Sequence, residues 1–508
     1  MIPRRLIAFF LCLFIVTVSL IAQDSLLYQR ISIPASEYSV EDALKAIENK
    51  TGLSFSYNTG LIDKRKIVTL NATGEKVIDI LNSMFHDPSL HFSVIGRHLV
   101  IYRPVKTRSI NPQGITDSVY FFVISGKVVD KVNQQPLPFS SVYLFGKSTG
   151  TISNEEGEFR LKLNSSDIAE TLNISCIGYK NFSSPVSELV NTDQLFPLEA
   201  DIITIQEVII RKLSPFSLLQ NANKRIRENY PQEPAILTSF YRETIQRGNR
   251  YTMVSEAILE QFKTGYHNLV PDRVRILKGR KNEDFAKNDS VMLKLKAGLN
   301  TMLMLDVIKN IPDFLTGENS DDYQYRLADI VVEDGRDHYA IEFSPKPNSP
   351  QGAFYAGRII IDIRDMAFKW IEFQVSPERL KLATERFIVR KPSNMIVTTL
   401  RANYKVAFRK TGNHYFLHMI KCETGFRIRY RRQISGSVYN TNMETVVTAI
   451  DTVNVTKFSQ REAARPYEIF SEQVGSYDET FWGEYNFISP DESLENALLK
   501  IKATDFKP

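Results

Sequence analysis

The sequence predicts a multidomain α+β protein: a small βαββαββ module, a small β-sandwich, and a large antiparallel β-rich C-terminal domain with a few helices. Three observations carry this. Apolar residues recur at helical spacing in two short early segments and in alternation through most of the remaining chain. Turn residues punctuate the alternating runs at short intervals. The pattern changes type three times along 508 residues, a length that implies several domains, each with enough chain for its own core.

The chain opens with Arg4 and Arg5, an apolar run from Leu6 to Ala22, and then polar Gln23 and Asp24. A charged start, an apolar stretch and a small residue before a polar boundary are the parts of an export signal. Residues 1–22 are therefore expected to be a signal peptide, cut after Ala22. The run is about seventeen residues, the short end for a membrane-spanning helix, which makes a retained anchor the alternative. Cys12 does not mark a lipoprotein cut, because apolar sequence continues well past it. Losing Arg4 and Arg5 and no acid takes the formal charge from +5 to +3, too mild a balance to argue for nucleic acid. Cys176 and Cys422 then remain, in separate modules. They are expected to be two idle thiols and not a bridge.

From Ile31 the order reads strand, helix, strand, strand, helix, strand, strand. Ser39 is a good N-cap for a helix with Val40, Ala43, Leu44 and Ile47 on one face and Glu41 and Asp42 in its first turn. Gly52 ends it. Leu53, Phe55 and Tyr57 alternate in a strand, and Ile67 to Leu70 form the next. Thr73 is expected to cap a second helix whose stripe is Val77, Ile78, Leu81, Met84 and Phe85. A hairpin turning at Gly96-Arg97 closes the set. His86, His91 and His98 have no ligand spacing and read as surface or hairpin residues. In its sequence Ile33…Ala43-Leu44-x-x-Ile47…Gly52-Leu53-x-Phe55-x-Tyr57, then Val68-x-Leu70 and Ile80-Leu81, the segment 28–103 resembles the secretin and TonB N-terminal short (STN) domain. The resemblance implies a periplasmic module that docks other proteins.

Residues 104–119 hold Pro104, Asn111, Pro112 and Gly114 without periodicity and are expected to be a linker. The next segment, 120–210, alternates through Ile124 to Asp130, Pro136 to Leu144, Gly150 to Leu161 and Leu172 to Tyr179. Asn154 can close an Asx-turn before Gly157 takes a left-handed conformation, with Phe159 and Leu161 then pointing inward. This order resembles the carboxypeptidase regulatory-like domain, which implies a transthyretin-like β-sandwich with no zinc site of its own. Asn154-Glu155-Glu156 lacks the alternating oxygens and distal Glu of a calcium loop and reads as a turn with solvated carboxylates.

Residues 214–508 are expected to form the β-rich C-terminal domain. Ser214-Pro215 start a helix carrying Leu218, Leu219, Ala222 and Ile226. Eleven strand-like runs lie between Leu237 and Val453, with Asp334-Gly335 as a hairpin signal. A Leu- and Met-rich helix is expected near Val291–Ile311 and a last one at about Glu492–Ile501. Phe240-Tyr241-Arg242-Glu243 and Tyr355-x-Gly357-x-Ile359-x-Ile361-Asp362 resemble segments of Bacteroidetes envelope proteins that carry the same sandwich, here lacking the receptor plug and barrel. A spanning barrel is not expected, because helices interrupt the strands and the chain closes on polar residues.

No chemistry-bearing constellation stands out. His414 and His418 are four apart in a strand-like run, where that offset separates the rings by about 13 Å. Asp362 and Asp365 read as turn residues. No nucleophile elbow, phosphate loop or dinucleotide fingerprint occurs, so no cofactor and no metal are expected. The candidate binding residues are Arg427, Arg429 and Arg431, which alternation along a strand places on one face. Such a row suits carboxylates, anionic lipid or acidic glycan. Its bland counterpart is a solvated face balanced by acids on adjoining strands. The expectation is a non-enzymatic, exported envelope protein, periplasmic or associated with the outer membrane. It is expected to work through protein contacts, with a TonB-dependent receptor or an anti-sigma-type regulator as partner and no nucleic acid. The alternatives are a carrier of apolar ligands under the Met-rich helix and an envelope hydrolase with an unrecognised site.

Overall fold

The computed structural model describes residues 27–495 and 498, except 58–61, 88–89, 96–97, 103–104, 109–117, 191–192, 204–213, 269, 284–293, 296–297, 317–321, 350–353, 391, 434, 477–481 and 483–484. The leader, Cys12, the Gly96-Arg97 turn and half of the last helix expected lie outside these residues. Among the described residues no helix is long and apolar enough to cross a membrane. The chain divides into two compact units. One is Met1–Gly126 with Arg160–Leu172 and Ser183–Leu195; the other is Lys127–Phe159 with Asn173–Phe182 and Phe196–Pro508.

The first unit begins with β1 (Arg30–Ser39), α1 (Val40–Thr51), β2 (Ser54–Tyr57), β3 (Ile67–Lys76), α2 (Val77–Phe85), β4 (His91–Ile95) and β5 (His98–Tyr102). β1 pairs with β3, and β2, β5 and β4 form a second sheet. Ser39 caps α1 as expected, accepting from the Asp42 amide, and Gly52 ends it at φ 68°. Thr73 does not cap α2. β3 continues to Lys76, and the first helical amides, of Val77 and Ile78, donate to the carbonyls of Gln29 and Leu27. Main-chain acceptors supply what a capping side chain otherwise would. Ile33, Ala43, Leu44, Ile47, Val77 and Leu81 anchor a core of their own. The stretch expected to be a linker contains a strand, β6 (Val105–Arg108), paired with β7 (Ser118–Asp130).

The sandwich segment adds β8 (Ser141–Leu144), β9 (Gly150–Ile152), β10 (Glu158–Asn164), β11 (Thr171–Ser175), β12 (Phe182–Pro185) and β13 (Asp193–Leu198). Its two sheets run β10-β7-β13, with β6 on β7, and β12-β11-β8-β9. The Asx-turn is present: Asn154 Oδ1 accepts from the amides of Glu156 and Glu158, and Gly157 has φ 78°.

The large sheet orders its strands β14 (Ile202–Ile203), β19 (Tyr323–Glu333), β20 (Arg336–Pro345), β21 (Tyr355–Asp362), β22 (Phe368–Val375), β24 (Met395–Thr411), β25 (His414–Tyr430), β26 (Ser437–Asp451), β15 (Ala235–Arg247), β16 (Arg250–Lys263), β17 (Arg273–Glu283) and β27 (Gly475–Ser476). Its ladders are antiparallel, apart from β17 with β27. β18 (Lys294–Leu295) and β23 (Ile388–Arg390) pair separately. Two strands expected at 415–423 and 426–432 are one continuous β25. Thr424 and Gly425 stay in register with Ala402 and Arg401, and with Thr441 and Asn440.

One face of this sheet is covered by α3 (Pro215–Lys224), α4 (Leu299–Met304) and α5 (Asp313–Thr316). The single Leu- and Met-rich helix expected is thus broken. Gly298 at φ 90° starts α4 late, and the chain leaves helix before Asp306 and Pro312. Leu299, Met302, Phe314, Tyr241, Phe343 and Phe373 belong to one continuous core. The opposite face carries Phe240, Ile258, Met419 and Val446, with Trp482 and Ile488 packed on them. The candidate site lies on this second face.

Candidate functional site

β25 runs unbroken from His414 to Tyr430, and it carries one extra residue relative to β24. Ala407 pairs with Met419 and Phe408 with Leu417, so His418 is left opposite no residue of β24. The same happens in β22, where Ile360 pairs with Trp370 and Ile361 with Phe368, leaving Lys369 extra. A β-bulge re-aims the inserted side chain. Both bulged residues line a cavity of about 270 Å³, enclosed between the sheet and the segments carrying Phe139, Ser141 and Cys176, all within the second unit.

The polar groups of this cavity are mostly committed. His418 Nε2 is 3.0 Å from Ser141 Oγ. Burial, with Arg409 and Lys369 beside it, pushes the imidazole well below its ordinary pKa, so it is neutral. Lys369 Nζ is 3.5 Å from Glu333 Oε2 and 3.4 Å from Asp334 Oδ2. Burial opposes the lysine charge, but these two carboxylates outweigh it. Burial pushes the Glu333 carboxyl up to about 7, with Lys369 pulling the other way. Asp334 and Gly335 form the expected hairpin turn, both at positive φ. Asp334 Oδ1 accepts from Tyr143 Oη and Asn181 Nδ2, each at 2.8 Å. Burial works against the Asp334 charge, but Lys369 and these donors hold its pKa low. Cys176 and Cys422 are free thiols, and burial pushes both up to about 12. Neither is a nucleophile near neutral pH.

Arg409 is 4% exposed. One guanidinium nitrogen donates to the Ser148 carbonyl at 2.7 Å, and the group lies 4.9 Å from the Tyr143 ring centroid. Its other terminal nitrogen, Nη1, is buried without a hydrogen-bond partner, as is Nε of Arg358. Burial lowers the Arg409 pKa to about 10.

A row of charges runs beneath this region. Across ten strands, Arg326, Glu342, Arg358, Glu372, Lys405, Lys421, Glu444, Arg242, Glu256 and Arg280 stand opposite one another in sequence. Directly opposed residues share a face. The far end is buried and tightly paired. Arg242 meets Glu256 at 2.8 Å and Glu444 at 2.9 Å, and Arg280 meets Glu256 at 2.7 Å. Where Lys405 faces Lys421, Glu155 pairs with Lys421, and the Phe139 ring lies 4.9 Å and 4.7 Å from the two ammonium groups. Phe139 takes φ 61° there, which is strained for a bulky residue. Glu155 is thus an ion-pair partner and not the solvated turn carboxylate expected.

Arg427 and Arg429 lie in β25, whereas Arg431 follows its last residue, Tyr430, in a turn. Strand alternation therefore gives a shared face to the first two alone. Among the described residues none of the three has an acidic partner, so the balancing acids of the bland reading are not there. Asp362 and Asp365 are turn residues: Asp362 Oδ1 accepts from the Asp365 amide at 2.7 Å, and Arg336 bridges both carboxylates. His414 sits at the mouth of the β24–β25 hairpin, opposite Thr411. Among the described residues no three His, Cys, Asp or Glu side chains are arranged to hold a metal ion.

Residues 124–210 match the model of the CarboxypepD_reg-like domain. No curated protein matches the chain. Among solved structures, a LolA superfamily protein from Nitrosomonas europaea is 10% identical, covering 50% of this chain and 100% of its own at a TM-score of 0.20. The MucA/MucB complex of Pseudomonas aeruginosa is 11% identical, covering 46% of this chain and 98% of its own at a TM-score of 0.17. Likeness at this level carries no argument about fold or function.

Proposed function

We propose that this chain is a non-enzymatic protein of the cell envelope, exported and acting by protein–protein contacts at the periplasmic side of the outer membrane. The observation that supports this best is the N-terminal module. Its element order is the one read from the segment that resembles the STN domain, and it buries a core of its own. The CarboxypepD_reg-like match at 124–210 adds a β-sandwich, to which this reading gives an accessory role. A Bacteroidetes-type source and a link to TonB-dependent uptake or signalling belong to the same proposal. An outer-membrane receptor or an anti-sigma-type regulator is the partner in view. Arg427 and Arg429, which lack acidic partners among the described residues, are the contact for that partner's acids or for anionic lipid or glycan. In-cell crosslinking and affinity purification should recover an envelope protein, and deleting residues 28–103 should end that capture. Recovery of nothing above background from the envelope sinks the reading.

The hydrolase alternative draws on one observation, the 3.0 Å contact of Ser141 Oγ with His418 Nε2 inside a cavity that also holds Glu333. A serine beside a neutral histidine is how a nucleophile is activated. Against it, burial and then the neighbouring Arg409 and Lys369 make this imidazole a poor proton acceptor. No carboxylate hydrogen-bonds His418 among the described residues. Covalent labelling by a fluorophosphonate, lost in Ser141→Ala, is the result that reinstates it.

A further inference from the structure

The cavity has an unbalanced charge. Each acid that lines it already has a lysine: Glu333 lies 3.5 Å from Lys369, and Glu372 lies 3.7 Å from Lys405. His418 is neutral. The two arginines are left over. Arg358 falls between Glu342 and Glu372 in the cross-strand row, yet among the described residues it forms no ion pair. Arg409 donates to a carbonyl and lies against an aromatic face; the Asp334 charge acts on it from a distance, but among the described residues no carboxylate pairs with it. Each has a buried nitrogen without a hydrogen-bond partner, and both side chains line the cavity. An uncompensated buried guanidinium is costly, and its planar donors match a carboxylate or phosphate better than any other group. The rest of the wall is apolar, with Phe139, Ile360, Trp370 and Met419 facing inward. The volume falls just below the roughly 300–1,000 Å³ of clefts that hold drug-sized ligands.

We propose that this cavity is a binding site for a small organic anion, a carboxylate or phosphate head on a short apolar body. Arg409 and Arg358 receive the head, and the wall containing Trp370 receives the body. The bulge at Lys369 and the strained backbone of Phe139 are the local departures that shape the pocket. This goes beyond the contact reading and does not depend on it. A failed crosslinking experiment leaves the pocket standing, and a dry pocket leaves the docking module standing.

The test uses the full chain and three probes: octanoate, 1-octanol and inorganic phosphate. Trp370 is one of only two tryptophans and lines the cavity, so its fluorescence reports occupancy, with Trp370→Phe as the blank and calorimetry as the second readout. Octanoate is expected to saturate with a Kd below about 1 mM, at least tenfold tighter than 1-octanol or phosphate. Arg409→Met should weaken octanoate at least tenfold and leave 1-octanol unchanged. Because Arg409 also anchors Ser148, a second variant is needed. Ala407→Leu fills the apolar wall and should abolish binding in a protein that melts as the wild type does. The proposal is overturned if octanoate binds no better than 1-octanol or phosphate, if Ala407→Leu binds it normally, or if no probe saturates.

Discussion

Lys405 and Lys421 stand directly opposite one another where β24 pairs with β25, the one like-charge pair in a row whose other neighbours alternate in sign. Like charges so placed repel, and Lys421 is almost fully buried. Acids of the sheet offset part of this repulsion, Glu423 and Glu444 for Lys421 and Glu372 for Lys405. The sandwich segment adds the Glu155 carboxylate on Lys421 and the Phe139 ring against both ammonium groups. The position where the segment 127–159 meets the sheet therefore has an electrostatic reason.

Glu155→Gln should destabilise the protein by about 1–3 kcal/mol, below the range for a fully buried pair because Glu155 is half exposed. Lys405→Met should recover part of that loss in the double variant. Urea unfolding of the four members of the cycle checks it; additive effects would mean the two lysines do not interact.

At the buried end of the row, Glu256 holds both Arg242 and Arg280. Glu256→Gln should cost about 3–5 kcal/mol, since Arg280 loses the Glu256 carboxylate and Arg242 keeps only that of Glu444. Arg280 lies 4.3 Å from the Trp482 ring, so the emission of Trp482 should shift before global unfolding. A loss under about 1 kcal/mol would show the network to be dispensable.

Glu243 is buried, and among the described residues its one hydrogen-bond partner is the Tyr241 hydroxyl at 2.6 Å. Burial pushes its pKa up to about 7, above the unfolded value near 4.5. The folded state therefore binds the extra proton between those values, and stability falls as pH rises from about 5 to 7. Glu243→Gln should flatten that slope, removing on the order of 3 kcal/mol of pH dependence. An unchanged slope between about pH 5 and 8 in denaturant unfolding would contradict the assignment.

A Cβ on Gly357 would lie 2.0 Å from the Glu372 carbonyl oxygen and 2.7 Å from the Phe373 Cα. Backbone cannot give way as a side chain can, and a glycine inside a strand marks such an approach. Gly357→Ala should cost about 2–4 kcal/mol and open the β21–β22 ladder first. Hydrogen exchange at Ile359 and Ile371 would show it; uniform protection in the variant would refute it.

The element order of the first module, the Asx-turn at Asn154 and the hairpin at Asp334-Gly335 are all legible in the chain, because each depends on residues within a few positions. The features that are not legible share a cause. The cap of α2 comes from carbonyls of residues 27–29, which no window around Thr73 contains. The Leu- and Met-rich run has the pattern of one helix, yet Lys294–Leu295 pair as a strand, helix begins only after Gly298 at a positive φ, and it ends at Met304. The cavity is invisible in sequence because Lys369 and His418 reach it through bulges, and strict alternation assigns a bulged residue no special place. Along the chain the partner to consider for His418 is His414, whereas its neighbour in space is Ser141.

By itself the amino-acid sequence determined the mixed class, the early helices, and a sandwich at about 120–210, since periodicity and turn chemistry act locally. Only the tertiary structure decided which strands adjoin. That choice turns ten charges scattered from Arg242 to Glu444 into one row and leaves Arg358 and Arg409 each with a buried nitrogen that no group among the described residues accepts from. Coulomb energy falls with distance through space and is indifferent to distance along the chain, so the charge balance of the cavity exists only once the sheet has formed.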